Sequence, residues 1–319
     1  MLAIVKSVEK KAAKNGTNFF GGYLRVKGGQ EISFKMWDVG QAEGPEVGTI
    51  MECVAQQDEY NGKPQITIKE WHPVEGPGAH VFAEFLPHTK FDPNVMYQEL
   101  QQIIGQEMED PERAVCFEAI KLHKEKFMQA PAANNHHHAW IGGLLEHIHQ
   151  LCHQWLEINK YYPHVNKSQV YFGLIMHDFC KIFEYRWDRG IFETSAAGHY
   201  MGHIGQAPHF LGRIMDGLNI PDEQQYPLIH IVLAHHGVIE WGSPVLPCTS
   251  EALVVHYMDN FHAQTYAAKG FLDQQIERGK KPGEFTERHY LHKAHYLIPS
   301  EKLASPVDAA TISEEEIPF

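Results

Sequence analysis

Val170-Tyr171-Phe172-Gly173-Leu174-Ile175-Met176-His177-Asp178 is the stretch of sequence on which the fold of the larger part of the chain depends. Val170 and Leu174 recur at helical spacing, and the same apolar line leads to His177 and Asp178, which are therefore predicted to point into a core. A buried carboxylate beside a buried imidazole is costly unless a partner compensates it. The dipeptide by itself leaves two interpretations open, a structural ion pair and part of a metal site.

Four further helical segments place a histidine or an aspartate on their apolar sides. These residues are His147 within 140–155, His203 after Gly202, His235 and His236 before Gly237, and Asp259 within 252–263. Inward-facing imidazoles and carboxylates that converge on one place usually bind a metal. The convergence favours the metal site over the structural ion pair.

The ligand types limit the chemistry of the predicted site. Imidazole and carboxylate ligands without thiolate suit Mn²⁺, Fe²⁺, Co²⁺, Zn²⁺ or Mg²⁺. Seven ligands exceed what one ion needs, so the sequence predicts two divalent ions bridged by Asp178. Two metals ~3.5–4 Å apart can share a hydroxide and direct it at phosphorus, which predicts a phosphohydrolase. The predicted ligands are His147, His177, Asp178, His203, His235, His236 and Asp259.

Lys181 and a pair of histidines lie near this site in the sequence. Lys181, one turn after Asp178, is predicted to neutralise a phosphate oxygen, although a lysine whose stem covers the surface would show the same periodicity. His149 and His153 are one turn apart on the face opposite His147, a spacing that can bind zinc. No further ligand is near them in the sequence, so we expect this pair to be solvated.

Residues 1–73 have the pattern of a small β-barrel. Ile32, Phe34 and Met36 alternate with polar or outward positions, which is the period of a strand, and Asn61-Gly62 predicts a hairpin turn. The predicted strands span 2–8, 18–26, 32–37, 49–55 and 65–69. Five strands of this length fit a barrel of the OB type, although their number alone also fits an SH3-like barrel.

The sequence therefore predicts an α+β protein with two domains. These are a five-stranded OB-type barrel over 1–73 and a helical domain over 93–300, joined by a linker over 74–92. Residues 301–319 are predicted to be a disordered acidic tail. The net charge of −13 excludes a tight binder of duplex DNA. This charge still permits a transient contact with single-stranded nucleic acid through base stacking on aromatic side chains. The candidates are Phe19, Phe20, Tyr23, Trp37 and Tyr60. The alternative is that these rings point inward and form the core of the barrel.

Composition predicts a cytoplasmic protein that does not enter a membrane. No apolar stretch reaches the ~18 residues needed to span a bilayer, and four lysines interrupt residues 1–15. The five cysteines are scattered and form no CxxC pair, which is typical of reduced thiols in a reducing compartment. The sequence leaves the oligomeric state open.

Several motifs around the predicted ligands are shared with a known family. They are Ala130-Pro131-Ala132-Ala133, Gly142-Gly143-Leu144-Leu145-Glu146-His147, Gly202-His203-Ile204, His235-His236-Gly237 and His256-Tyr257-Met258-Asp259-Asn260. The chain resembles the HD phosphohydrolase superfamily and, within it, the YhaM-type 3′→5′ exoribonucleases, which also have an OB domain. The resemblance implies an Mn²⁺-supported exonuclease acting on single-stranded nucleic acid. Departures at His262 and Gln264 leave RNA or DNA open as the substrate.

Two further predictions concern substrate and partner contacts. His138 can contact the substrate phosphate or protonate the leaving oxygen, because an imidazole titrates near neutrality. The alternatives are a role at the start of a helix and a hydrogen bond that supports a metal ligand. The terminal Glu314-Glu315-Glu316-Ile317-Pro318-Phe319 resembles the acidic C-terminal tip of bacterial single-stranded-DNA-binding proteins. That resemblance implies that Ile317, Pro318 and Phe319 bind the proteins that recognise such tips, whereas a purely solubilising tail is the alternative.

Three functions are consistent with these features. The first is a metal-dependent 3′→5′ exonuclease that cleaves single-stranded RNA or DNA by the two-metal hydroxide mechanism. The second is an HD phosphodiesterase or phosphatase for a small or cyclic nucleotide, because the same kind of site serves both substrates. The third is a non-enzymatic recruitment or decoy module of DNA metabolism that acts through the OB domain and the Ile-Pro-Phe tail.

Overall fold

The computed structural model describes residues 1–13, 16–37, 44–60, 63–76, 81–82, 84–133, 139–187 and 190–300, without the side chains of Tyr60 and Lys63. The predicted turn Asn61-Gly62, His138 and the tail over 301–319 lie outside the described residues. The chain divides into two compact units, Met1–Asn260 and Phe261–Phe319. Within the described ranges, no helix is long and apolar enough to cross a bilayer.

The N-terminal part is a closed five-stranded barrel, as predicted. Its strands are β1 (Leu2–Ala12), β2 (Asn18–Val26), β3 (Glu31–Trp37), β4 (Ile50–Tyr60) and β5 (Lys63–Pro73). They follow the order β1-β2-β3-β5-β4, and pairing of β1 with β4 closes the barrel. Only β3 and β5 are parallel among these five strands. This order is that of an OB-type barrel, which leaves no open edge.

Side chains along β3 alternate between the inside and the outside of the barrel. Phe34 and Met36 are buried inside the barrel, whereas Lys35 and Trp37 point outward. Strands β4 and β5 are each longer than predicted, because they continue through polar residues. Residues 56–59 pair with β5 although they are exposed and lack an apolar alternation, so their sequence gave no strand signal.

The segment between the barrel and the first long helix is partly buried. Phe85 and Leu86, which lie in the predicted linker, have no solvent exposure. Phe85 packs with Ile4 and Ile50 of the barrel strands β1 and β4. Packing of an aromatic ring into this position ties the segment to the barrel, whereas a linker without buried contacts would leave it free.

The helical part confirms the predicted fold class. Its helices are α1 (Pro93–Glu107), α2 (Glu112–Gln129), α3 (Gly143–Ile158), α4 (Lys167–Met176), α5 (Lys181–Glu184), α6 (Ala196–Gly217), α7 (Asp222–Ala234) and α8 (Ser250–Glu277). Two short hairpins accompany them, β6 (Tyr185–Arg186) with β7 (Glu193–Thr194) and β8 (Phe285–Arg288) with β9 (His295–Leu297). The core contains fully buried large side chains that include Phe127, Trp155, Tyr171, Phe172 and Phe179.

Gly173 allows three helices to approach one another. A Cβ atom at this position of α4 would lie 2.5 Å from a methyl group of Ile231 on α7 and 2.5 Å from one of Val255 on α8. Real Cβ contacts are not that short, so a larger residue must push the helices apart. The close approach matters for the site, since predicted ligands follow directly after α4 and α7 and lie within α8.

We predict that Gly173→Ala destabilises the protein by about 1–3 kcal/mol, the usual cost of overpacking, despite the better helix propensity of alanine. Gly212→Ala is the matched control, because Gly212 also lies within a helix and a Cβ there would meet no atom within 4 Å. The control should be neutral or stabilising by up to about 1 kcal/mol. Thermal or denaturant unfolding of both variants measures the difference, and equal stability of Gly173→Ala and wild type would contradict the packing argument.

Candidate metal centre

His177 follows directly after α4, at its C-cap position, and is fully buried. Its Nδ1 atom donates to the carbonyl oxygens of Gly173 and Leu174, at 3.2 and 3.0 Å. These bonds fix the ring so that Nε2 carries the free lone pair when the imidazole is neutral. The helix therefore directs one nitrogen of His177 into the space between α3, α7 and α8.

A first group of three potential ligands surrounds that nitrogen. His147 on α3 places its Nε2 3.2 Å from Nε2 of His177 and 3.2 Å from Oδ1 of Asp259 on α8. The third distance, from His177 Nε2 to Asp259 Oδ1, is 3.6 Å. Both imidazoles are buried. Three donor atoms at these distances form a group that could bind one metal ion.

A second group consists of His203, His235 and His236. In each of the three rings Nδ1 is held by a partner outside the group. The partners are Oε2 of Glu184 for His203 at 2.7 Å, the carbonyl of Val232 for His235 at 2.6 Å and the carbonyl of Trp241 for His236 at 2.8 Å. Metal-binding histidines typically have such a bond from their other nitrogen, which fixes the ring orientation.

The Asp178 carboxylate lies between the two groups. Its Oδ2 atom is 3.5 Å from Nε2 of His177 and 3.8 Å from Nε2 of His147, which both belong to the first group. Its Oδ1 atom is 3.3 Å from Nε2 of His203 and 3.8 Å from Nε2 of His235, which both belong to the second group. Each oxygen thus faces a different histidine group, which is the arrangement expected of a bridging carboxylate.

Charged groups in the centre compensate one another. Burial opposes charge on His177, but Asp178 and Asp259 outweigh it and raise its pKa to about 10. Burial also opposes charge on Asp178, yet Lys181, whose Nζ is 2.6 Å from Oδ2, and His177 hold the pKa of that carboxyl well below its usual range. Burial lowers the pKa of His235 far below its ordinary value, so this ring is neutral. Burial opposes charge on Asp259 as well, but His147 and His177 hold its pKa well below its usual range. Both carboxylates are therefore ionised and matched by positive charge.

The donor atoms fit a divalent cation. Nε2 of His235 is buried and, within the part of the chain that is described, has no hydrogen-bond partner. Nε2 of His203 is 3.3 Å from Asp178 but makes no hydrogen bond among the described residues. A buried nitrogen without a partner is costly, and a cation would satisfy both lone pairs. Imidazole and carboxylate donors without thiolate suit first-row divalent metals.

The seven predicted ligands thus lie together. The structure also places Lys181 and two residues near the ligands that the sequence did not predict. Lys181 is mostly buried and pairs with Asp178, so its ammonium is directed at the centre and does not extend over the surface. His138 lies outside the described residues. Two contributors were not predicted, Glu184, which holds His203, and His256, whose Nδ1 donates to the carbonyl of His235 at 2.8 Å. Glu184 has no local signal, since α5 is only four residues long. His256 does have one, because it lies beside Asp259 on the apolar face of α8, but no role was assigned to it.

A bend in α6 places His203. Gly202 has φ 59° and ψ 175°, a conformation that is essentially restricted to glycine. The helix starts again after this residue, which brings His203 toward Asp178 and within reach of Glu184. A side chain at position 202 would strain the backbone immediately before this histidine.

The outer face of β2 and β3 has an aromatic surface, which we define as Phe19, Tyr23, Lys35 and Trp37. The rings of Phe19 and Trp37 are 4.8 Å apart, and the ammonium of Lys35 lies 5.5 Å from the Trp37 ring centre. Tyr23 is 51% exposed and Trp37 39% exposed, so both rings can be reached by a base. The prediction that Phe20 stacks with a base is wrong, because its ring points into the barrel core and is only 8% exposed. The Tyr60 side chain lies outside the described residues.

Comparison with known proteins agrees with this geometry. The HD domain family model matches residues 143–264, which include all seven predicted ligands. The chain is 33% identical over 293 residues to a protein named 3′-5′ exoribonuclease YhaM from Bacillus subtilis (strain 168), with 89% of each chain covered. It is 31% identical over 293 residues to a protein of that name from Listeria welshimeri serovar 6b, with 90% of each covered. No solved structure gives a significant match. The chain belongs to the family of HD-domain proteins that contains these YhaM 3′-5′ exoribonucleases.

Proposed function

We propose that the protein is a metal-dependent 3′→5′ exonuclease that hydrolyses phosphodiester bonds of single-stranded nucleic acid, with RNA as the first candidate substrate and DNA as the second. The observation that supports this most directly is the position of Asp178 between two histidine groups. The names of two relatives that match along most of their length support the reaction type and polarity.

The proposed metal ligands fall into two sets that share Asp178. One ion would be held by His147, His177 and Asp259, and the other by His203, His235 and His236, with Asp178 completing both sets. We propose Mn²⁺ as the ion, while Fe²⁺, Co²⁺, Zn²⁺ and Mg²⁺ suit the same donors. When bound, such a pair of ions activates water and neutralises charge on phosphate oxygens.

Other residues of the chain would act on the phosphate directly. Lys181 has its ammonium 2.6 Å from Asp178, so it adds positive charge at the point where the scissile phosphate would bind. His138 is proposed to protonate the leaving oxygen, because an imidazole titrates near neutrality. The proposal for His138 depends on its sequence motif, since it lies outside the described residues.

The aromatic surface of the barrel is proposed to bind the single strand. Base stacking on exposed aromatic rings is worth about 1–3 kcal/mol per base and tolerates any sequence. Phe19, Tyr23 and Trp37 offer such rings, and Lys35 adds a charge for the backbone. The face formed by strands 2 and 3 is the one that OB barrels use for oligonucleotides.

Two further proposals concern surroundings and partners. All five cysteines are free, which fits a reducing compartment such as the cytoplasm.

The C-terminal Ile317, Pro318 and Phe319 are proposed to bind an apolar pocket on a protein that recognises acidic tips, a proposal that depends on the sequence alone.

We predict that Asp178→Asn reduces the release of mononucleotides from single-stranded RNA and DNA, measured with Mn²⁺, by roughly 100-fold or more, because both metal sites lose a charged ligand. Asp216→Asn is the control, since Asp216 lies on the surface of α6 and binds Gln225. Undiminished cleavage by Asp178→Asn, or no mononucleotide release from either polymer by the metal-loaded wild type, would refute the proposal.

We predict that Glu184→Ala weakens Mn²⁺ binding by roughly 10- to 100-fold, the usual effect of losing a residue that orients a ligand. Glu184→Gln should have a smaller effect, because its amide oxygen can still accept the bond from Nδ1 of His203. Equilibrium dialysis measures the bound metal without reference to activity. Glu193→Ala is the control, as that carboxylate pairs with Arg186, and an equal loss in this variant would argue against the orienting role.

We predict that Trp37→Ala weakens binding of a single-stranded oligonucleotide by roughly 5- to 100-fold, corresponding to the loss of one stacked base. The KM for the polymer should rise while kcat changes little, since Trp37 lies on the barrel. Tyr226→Ala, which removes an exposed aromatic residue from α7, should leave both unchanged. If Trp37→Ala alters neither affinity nor KM, a small or cyclic nucleotide becomes the better candidate substrate.

A further inference from the structure

A second group of potential metal ligands lies on α1 and α3. His149 and His153 are one turn apart on α3, and Glu99 on α1 faces them. His149 lies two residues after His147, so the helix turns it by about 200° and the group shares no side chain with the centre around Asp178. The sequence alone provides only the two histidines, because the carboxylate comes from a position 50 residues earlier than His149.

The three donor atoms are close enough to share an ion. Nε2 of His149 is 2.6 Å from Oε2 of Glu99, and Nε2 of His153 is 3.9 Å from the same oxygen. All three donor atoms lie within 4.8 Å of one another. Ligands of a tetrahedral zinc ion are roughly 3.3 Å apart, given Zn–N lengths of about 2.0–2.1 Å. The present distances of 2.6 and 3.9 Å lie on either side of that spacing.

His153 supplies an independent observation that points to a ligand. Its Nε2 atom is shielded from solvent and has no hydrogen-bond partner among the residues described. The nitrogen is directed at Glu99, yet at 3.9 Å it is too far for a hydrogen bond. The two imidazole rings lie 4.4 Å apart between their centres, a close approach of two groups that repel if both are protonated. An ion between the three donors would satisfy the nitrogen and remove that repulsion.

We propose that Glu99, His149 and His153 form a Zn²⁺ site that is separate from the HD-domain centre. Two histidines and one glutamate are a known ligand set for zinc, with water in the fourth position. Three ligands of this type bind Zn²⁺ more tightly than Mn²⁺, following the usual order of divalent affinities. Loading the protein with Mn²⁺ for catalysis therefore leaves this site free to take zinc.

The proposed ion would cross-link α1 to α3. Glu99 is the only one of the three ligands on α1, and the two histidines fix the ion on α3. An ion that binds the folded chain and not the unfolded one raises stability in proportion to its occupancy. Because the opposite face of α3 bears His147, the site would hold the helix that supplies one ligand to the other centre.

The test compares Zn²⁺ binding by the full-length protein and by His153→Ala and Glu99→Gln, using equilibrium dialysis with metal analysis. In a Zn²⁺ titration we expect wild type to show one tight site per chain that each variant binds at least tenfold more weakly, so that a difference in zinc content appears where wild type has just reached saturation. His164→Ala and Glu157→Gln are the controls, because both residues are exposed and lie outside the group. Replacement by Co²⁺ provides a second readout, since the spectrum of wild type should contain the visible absorption of a tetrahedral site in addition to any absorption from the HD-domain centre, and the variants should lack that component.

Several results would overturn this proposal. They are equal zinc content in wild type and His153→Ala, an equal loss in His164→Ala, or Co²⁺ spectra that do not change. Glu99 and His153 are partly exposed, and Glu99→Gln is a conservative change, so circular dichroism should show folded variants. Both variants should retain Mn²⁺-dependent nuclease activity, which separates this site from the HD-domain centre. A failure of the proposed exonuclease function would leave the difference of one zinc ion intact.

Discussion

The structure of the helical part depends on the need to compensate one buried carboxylate. Asp178 is only 4% exposed, and an isolated ionised carboxylate in such a place is prohibitively costly. Three other parts of the chain therefore place an imidazole near it, and Lys181 adds an ammonium from the next turn. A hydrophobic core could form without these groups, but Asp178 would then have no partners. The same requirement gathers the donors that a pair of divalent ions needs.

Two glycines make this arrangement sterically feasible. Gly173 removes the side chain that would hold α7 and α8 away from α4, and Gly202 permits a backbone conformation that restarts α6 at His203. The remaining orientation comes from bonds made by Nδ1 of four of the histidines to backbone carbonyls and to Glu184. Packing sets where each helix lies, while hydrogen bonds set which nitrogen points inward. Both are required, since a rotated ring would present the wrong atom to an ion.

Sequence periodicity predicted faces of helices and strands well, and it failed where a contact depended on register between distant elements. His147, His203 and Asp259 were found because each lies on an apolar line. Glu184 was missed because a four-residue helix has no measurable period, and Glu99 because nothing local relates it to α3. Phe20 was wrongly placed with Tyr23: positions three apart on a strand face opposite sides, and the strand pairing shows that Phe19 is the outward neighbour.

The charge of the chain constrains how a polyanionic substrate can bind. A net charge of −13 gives no long-range attraction for a phosphate backbone, so contact must come from local groups. Stacking on Trp37 and Phe19 is largely independent of net charge, and Lys35 beside them supplies a local cation. At the centre the situation differs, because Lys181 already compensates Asp178 and the carboxylates repel a phosphate. Bound cations must make the local electrostatic potential positive before a phosphate can bind there. Metal binding and substrate binding are therefore thermodynamically linked, so that each raises the affinity for the other.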